Sequence, residues 1–205
     1  MNRRTILTSA VAAIVALGLG AAIWLASTGA GRMQFHALDI TGAEYAQGFN
    51  LVDFNGQPRT LADFKGKVVV LFFGYTQCPD VCPTTMGEMV EVKRKLGAEG
   101  DKLQVLFVSV DPARDTPEVL KAYMGHFDPS FVALYAQTPA QLAALARDFK
   151  VYYQKVDGKT PTSYTMDHSA ASFIYDTQGR VRLYSRFGTS TDDLTADIQR
   201  LLGGA

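Results

Sequence analysis

Six consecutive apolar residues, Val68 to Phe73, end at Gly74, and the loop that follows holds both cysteines of the chain. A run this short, β-branched and aromatic, with no polar face, reads as a strand buried on both sides. Gln104–Val110 is a second run of the same kind. Such strands need covering layers, and the intervening chain carries helix signals. One helix is expected from about Pro83 to Leu96. Thr116 is placed to cap another, with Pro117 at its first position and Val119, Leu120, Tyr123, Met124 and Phe127 at helical spacing. Thr138-Pro139-Ala140-Gln141 reads as a capping box that opens a third, with Leu142, Leu145, Ala146 and Phe149 inward. Ser190 opens the last, with Leu194, Ile198, Leu201 and Leu202 inward.

Shorter strands complete the pattern. Phe49–Phe54 precedes an Asn55-Gly56 turn, and Val151–Val156 has strand character. Ser172–Tyr175 and Arg180–Tyr184 flank Asp176–Gly179 as a hairpin. The order β-α-β-α, a further helix, then β-β-α points to an α/β domain with a mixed central sheet flanked by helices, the order of a thioredoxin-like fold.

The charge totals cancel, with 20 basic and 20 acidic side chains, so nothing marks a nucleic-acid partner. Two cysteines cannot make a disulfide-rich scaffold or a four-cysteine zinc module. The balance is unevenly spread. Residues 1–27 hold Arg3 and Arg4 and no acid, and Ile6–Ala26 is wholly uncharged. Those 21 residues would span roughly 31 Å as a helix, about the hydrocarbon thickness of a bilayer. The expectation is an N-terminal transmembrane anchor over residues 1–27, with Trp24 at its outer interface. A linker and lead-in over 28–44 and one domain over 45–205 follow. The leading arginines keep the N-terminus cytoplasmic, which puts a single-pass protein in the inner membrane with its domain in the periplasm. A cleaved signal peptide is the alternative, with small residues at Ala26-Ser27-Thr28, although the apolar run exceeds the usual ~7–15 residues. Either way the thiols face an oxidising compartment.

Cys78 and Cys82 stand four residues apart at a helix start, where a disulfide or two thiolates on one metal ion are both accessible. The positive helix end favours thiolate. A structural disulfide would close too short a loop to stabilise much. Inert buried thiols are the other plain reading. Of three histidines, His36 lies near the linker and His126 in a helix, and both are expected to be solvated. His168 precedes the strand near Ser172, in a loop that this topology turns towards the cysteines. Two thiolates with one imidazole suit Cu(I) and also hold Cu(II). Zinc with an open fourth position is the alternative, weakened by the lack of an evident Glu base.

Three motifs carry a family resemblance: Gly74–Pro83, Asp111-Pro112-Ala113-Arg114-Asp115-Thr116-Pro117-Glu118, and Asp167-His168-Ser169-Ala170. In this order they resemble the Sco/SenC copper chaperones, over about residues 45–203 and the N-terminal anchor. The resemblance implies a thioredoxin-like fold, copper ligands Cys78, Cys82 and His168, and delivery of copper to the CuA centre of cytochrome c oxidase subunit II. An exported thioredoxin-like reductase and other periplasmic copper carriers are the further partners expected. Gln77 stands where many members have His. Asp111 is a candidate partner contact or outer group of the site, or a plain turn residue before Pro112. Asp167 is a candidate to orient His168. Asp115 and Thr116 read as capping residues, Tyr75 as shaping the loop, and Met86, Met89 and Met166 as core rather than soft ligands. The rival functions are a thiol–disulfide oxidoreductase acting on the oxidase cysteines, a thiol peroxidase (Val81–Thr85 faintly resembles peroxiredoxins) and a copper sensor.

Overall fold

Eight strands form the main sheet of the computed structural model, which describes Gly20, residues 35–160 and residues 163–205. Apart from Gly20, the anchor expected over 1–27 and the first part of the linker lie outside the described residues. Among the described residues no helix is long and apolar enough to cross a membrane. Phe35–Ala205 form one unit.

The strands are β1 (Leu38–Asp39), β2 (Leu51–Asp53), β3 (Pro58–Arg59), β4 (Val68–Gly74), β5 (Leu103–Ser109), β6 (Val132–Tyr135), β7 (Tyr153–Asp157), β8 (Tyr164–His168), β9 (Ala171–Tyr175) and β10 (Val181–Arg186). The helices are α1 (Val81–Lys95), α2 (Pro117–Gly125), α3 (Pro139–Phe149) and α4 (Thr191–Leu202). Two 3-10 helices, Leu61–Phe64 and Gly97–Lys102, lie between them. The sheet order is β1-β10-β9-β4-β5-β6-β2-β3, parallel at β4–β5 and β5–β6 and antiparallel elsewhere. Among the described residues β7 and β8 pair only with each other, as a separate two-stranded sheet.

The fully apolar β4 sits at the middle, buried along its whole length, as its composition requires. Its alternation sends Phe72 and Phe73 to opposite faces. Phe73 meets Phe149 of α3 at 5.1 Å between ring centroids, and Phe149 meets Phe173 edge-on at 5.2 Å. On the other face Phe72 lies beside Phe107, which packs on Tyr123 of α2. Cys82 of α1 approaches that same face over Gly74. Helices therefore cover both faces, and the C-terminal edge of β4 feeds straight into the cysteine loop.

The expected caps at Thr116, Thr138 and Ser190 are present, each side chain accepting a backbone N–H of the first turn. The box at Thr138 is only half formed, because the Gln141 side chain accepts from Gln137 N–H instead of Thr138 N–H. The Asn55-Gly56 turn is also present, with Gly56 at φ +77°. Its Asp53 carboxylate accepts the Asn55 and Gln57 N–H groups. Four strands lie outside the expected set; one is β3, which pairs back onto β2 across the Asn55-Gly56 turn. β1 pairs with β10 although it falls in the stretch expected as lead-in. β6 has four residues and β8 alternates weakly, so neither carries a strong periodic signal.

Gly74 leaves no room for a side chain. A Cβ there would stand 2.8 Å from Cys82 Sγ, 2.8 Å from Phe107 Cε2 and 2.9 Å from Phe72 Cε1, all of them buried atoms of the core. Gly74→Ala is expected to destabilise the metal-free domain by about 1–3 kcal/mol through overpacking. Chemical denaturation checks this, and an unchanged midpoint would contradict the packing described.

Candidate metal centre

The cysteine loop is a tight turn between β4 and α1. Cys78 N–H donates to the Tyr75 carbonyl at 3.2 Å, and Val110 N–H donates to the Gly74 carbonyl at 2.8 Å. These bonds hold the loop against the end of β5. Val81 opens α1, so Cys82 and Pro83 fall in its first turn, where the missing proline N–H costs no helical bond. Cys82 is completely buried and Cys78 half-buried, and both are free thiols.

His168 arrives from the other side. It is the last residue of β8, on a strand and not in the loop expected, paired opposite Tyr153. Strand alternation turns Met166 and His168 inward and leaves Thr165 and Asp167 exposed. The imidazole stands edge-on to Phe72 and Tyr75, at 6.0 and 5.9 Å between centroids. Its Nδ1 lies 3.1 Å from the Ser169 carbonyl. With Nδ1–H donating there, Nε2 carries the free lone pair, and Nε2 stands 3.4 Å from Cys82 Sγ.

Burial raises the Cys82 thiol well above the ordinary thiol range, although the Tyr75 backbone N–H pulls the other way. Burial also lowers His168, against the opposing pull of the Ser169 carbonyl and Asp167. Both shifts favour a neutral pair, in which the Cys82 S–H donates to Nε2. The expected thiolate stabilisation at the helix end is thus overridden at Cys82, because desolvation outweighs the helix end.

The Cys78, Cys82 and His168 ligand atoms all lie within 4.8 Å of one another. Three ligands around one ion, at bonds of roughly 2.0–2.3 Å, stand roughly 3.5–4 Å apart, so small rotations close the set. The group opens on a surface cleft of about 390 Å³ lined by Tyr75, Pro79, Val81, Met166 and Ala170 among others. Two sulfurs and an imidazole nitrogen beside an open side suit a soft ion that must enter and leave.

The other candidates are placed differently. Asp111 is buried, taken up by the Arg114 guanidinium and by Tyr164 Oη–H at 2.9 Å, so its carboxylate is engaged inside the fold. Asp167 lines the cleft but is exposed, and the Ser169 carbonyl takes the ring nitrogen that Asp167 was a candidate to orient. Asp115 is not a cap. Its buried carboxylate accepts Thr76 Oγ1–H and Ser109 Oγ–H, each at 2.6 Å, and the Thr76 N–H at 3.2 Å. That knot ties the cysteine loop to the end of β5. Met86 and Met89 lie in the core and Met166 is buried at the cleft wall. The roles of Arg114, Tyr164 and Ser169 escaped the sequence reading; Arg114 lies inside the second motif and Ser169 inside the third, while nothing in the sequence signalled Tyr164.

A model of the SCO1/SenC family matches residues 39–203. The chain belongs to that family. It is 36% identical over 196 residues to the mitochondrial SCO2 homolog of Bos taurus, covering 93% of this chain and 73% of that one. It is similar to the structure of Bradyrhizobium japonicum ScoI with copper bound, at 41% identity and TM-score 0.68, over 75% of this chain and 97% of that one. The yeast Sco1 structure with copper bound gives 28% identity and TM-score 0.69, over 77% and 88% of the two chains. Both of these Sco structures hold copper, and this SCO1/SenC member carries the Cys–Cys–His group.

Because burial raises the Cys82 thiol, copper binding through Cys82 would require it to release a proton. Higher pH therefore favours loading. Copper added in weak buffer is expected to release protons, and apparent affinity should climb about tenfold per pH unit for each proton released. Cys82→Ser should lower the proton count. An affinity flat between about pH 6 and 8 would contradict a protonated Cys82.

Proposed function

We propose that the chain is a membrane-tethered copper chaperone that binds copper through Cys78, Cys82 and His168. It delivers the metal to the CuA centre of cytochrome c oxidase subunit II during assembly of that enzyme. The observation that carries this reading is the convergence of two thiols and an imidazole Nε2 within 4.8 Å at the floor of an open cleft. The copper held by Bradyrhizobium ScoI and yeast Sco1 supports copper as the cargo here.

The three ligands divide the work by exposure. Cys82 is sealed in the core and His168 is pinned through Nδ1, so these two set where copper sits. Cys78 stands at the cleft and meets solvent. An acceptor that docks over the cleft brings its own thiolates to the Cys78 side, and copper moves by stepwise ligand exchange. Ile6–Ala26 anchors the protein in the inner membrane with its domain in the periplasm, which confines donor and oxidase to one layer and raises their effective concentration. Periplasmic copper carriers load the site. An exported thioredoxin-like reductase keeps it open, since a Cys78–Cys82 disulfide blocks loading.

One observation favours a second reading, a thiol–disulfide oxidoreductase that reduces the CuA-site cysteines. A reachable thiol beside a sealed one is the arrangement of an attacking and a resolving cysteine. His168 separates the two. His168→Ala is expected to weaken copper binding by at least about tenfold while leaving disulfide reduction within about twofold.

Copper titration of the full chain and of Cys78→Ser, Cys82→Ser and His168→Ala tests the main reading. Thiolate-to-Cu(II) charge-transfer absorption should arise in the parent and fall sharply in either cysteine variant. Stoichiometric binding that survives loss of both thiols would refute the site. Deleting residues 1–27 should move the protein out of the membrane fraction without altering copper affinity, and a truncated chain that still sediments with membranes would refute the tether.

A further inference from the structure

Beyond the three ligands, one charged side chain touches each segment that builds the site. Arg114 lies in the loop after β5, only 17% exposed. Its Nε pairs with the Asp111 carboxylate. Its Nη1 donates to the Tyr164 carbonyl at 2.9 Å and to Gln77 Oε1 at 3.1 Å. The guanidinium carbon lies 3.5 Å from the centre of the Tyr164 ring and 5.7 Å from that of Tyr75. Tyr164 Oη–H closes the circuit on Asp111, and Lys155 of β7 lies 4.6 Å from the same ring. A single planar fork thus joins the cysteine loop, the Asp111 loop and the first residue of β8.

The hairpin needs such a fastening. β7 and β8 share no ladder with the main sheet, and a lone two-stranded hairpin is marginal in water. β8 is fixed at its far end by the short passage through Ser169 and Ala170 into β9. At its near end it is held by Tyr164, four residues and roughly 13 Å from His168. Met166 is buried between the two and its backbone meets Tyr75, so Tyr164 sets the lie of the outer end of the strand that carries His168. The direction of its ring therefore depends on where Tyr164 is clamped.

We propose that Arg114 is a positioning residue: by clamping Tyr164 and Gln77 onto Asp111 it holds β8 against the cysteine loop and aims His168 Nε2 at the metal position. The inference rests on the copper reading of the site. It acts through geometry and not through charge at the ligands. A lysine keeps the charge but loses both the fork and the flat stacking face, so it does not replace Arg114.

The test is a cycle of copper affinities on the full chain, by titration with copper alone: parent, Arg114→Ala, His168→Ala and the double variant. Arg114→Ala should weaken binding about tenfold when His168 is present, the range seen when a ligand's support is removed. With His168 absent, the same substitution should change affinity less than about twofold, since there is no ring left to aim. Arg114→Lys should behave as Arg114→Ala, and it carries the same cycle if the alanine variant does not fold. In the metal-free state, amide hydrogen exchange across 164–168 should speed up in either variant while β4 and β5 stay protected. An equal loss of affinity with and without His168 would make Arg114 a general support of the fold and overturn the proposal, as would parental affinity in Arg114→Ala. If the parent binds no copper through Cys78 and Cys82, the functional reading fails. The exchange measurement then still decides the clamp, and unchanged exchange at 164–168 overturns it.

Discussion

The seating of Cys82 against Gly74 governs the architecture of the site. β4 delivers a glycine at the one point where a side chain would strike the sulfur, and the helix that starts beyond the loop returns Cys82 onto the strand it has just left. The Cys82 sulfur is thereby welded to the middle of the main sheet. Everything else in the site is arranged relative to it: Cys78 by the span of the loop, Thr76 by the Asp115 knot, and His168 by a hairpin that comes in from outside the sheet.

Electrostatics follows from that burial. A thiol and an imidazole at 3.4 Å could share a proton as an ion pair, as they do where water or other charges support it. Here the surroundings are Phe72, Phe107 and Tyr75, and desolvation pushes both groups to their neutral forms. The Cys82 thiol and the His168 ring thus face each other as neutral groups. Burial likewise raises the Asp115 carboxyl, while the Ser109 and Thr76 hydrogen bonds oppose the rise.

Much of this was legible before any coordinates. The apolar runs at Val68–Phe73 and Gln104–Val110 announced the central parallel pair, and Thr116, Thr138 and Ser190 announced three helix starts, because these features are local and chemically distinct. The convergence of Cys78, Cys82 and His168 was readable because cysteines and histidines are scarce here. What stayed hidden depends on tertiary contact. Asp115 stands where a cap would stand, and only the folded loop reveals that its oxygens face Thr76 and Ser109. The strand β8 could not be separated from loop, since Tyr-Thr-Met-Asp-His alternates weakly and its partner β7 is mostly exposed. The link between Arg114 and Tyr164 spans 50 residues of sequence and leaves no periodic trace.

The separate β7–β8 sheet has a consequence for how copies of the protein meet one another. Each strand of a two-stranded sheet presents one edge with no ladder partner, and such edges invite pairing between molecules. β7 meets that hazard with its composition. Gln154, Lys155 and Asp157 are exposed along it, and the last two form an ion pair at 2.8 Å. Joining two such borders would strip water from a lysine and an aspartate on each side. The hairpin that carries His168 is thus bordered by groups that discourage it from adhering to its own kind.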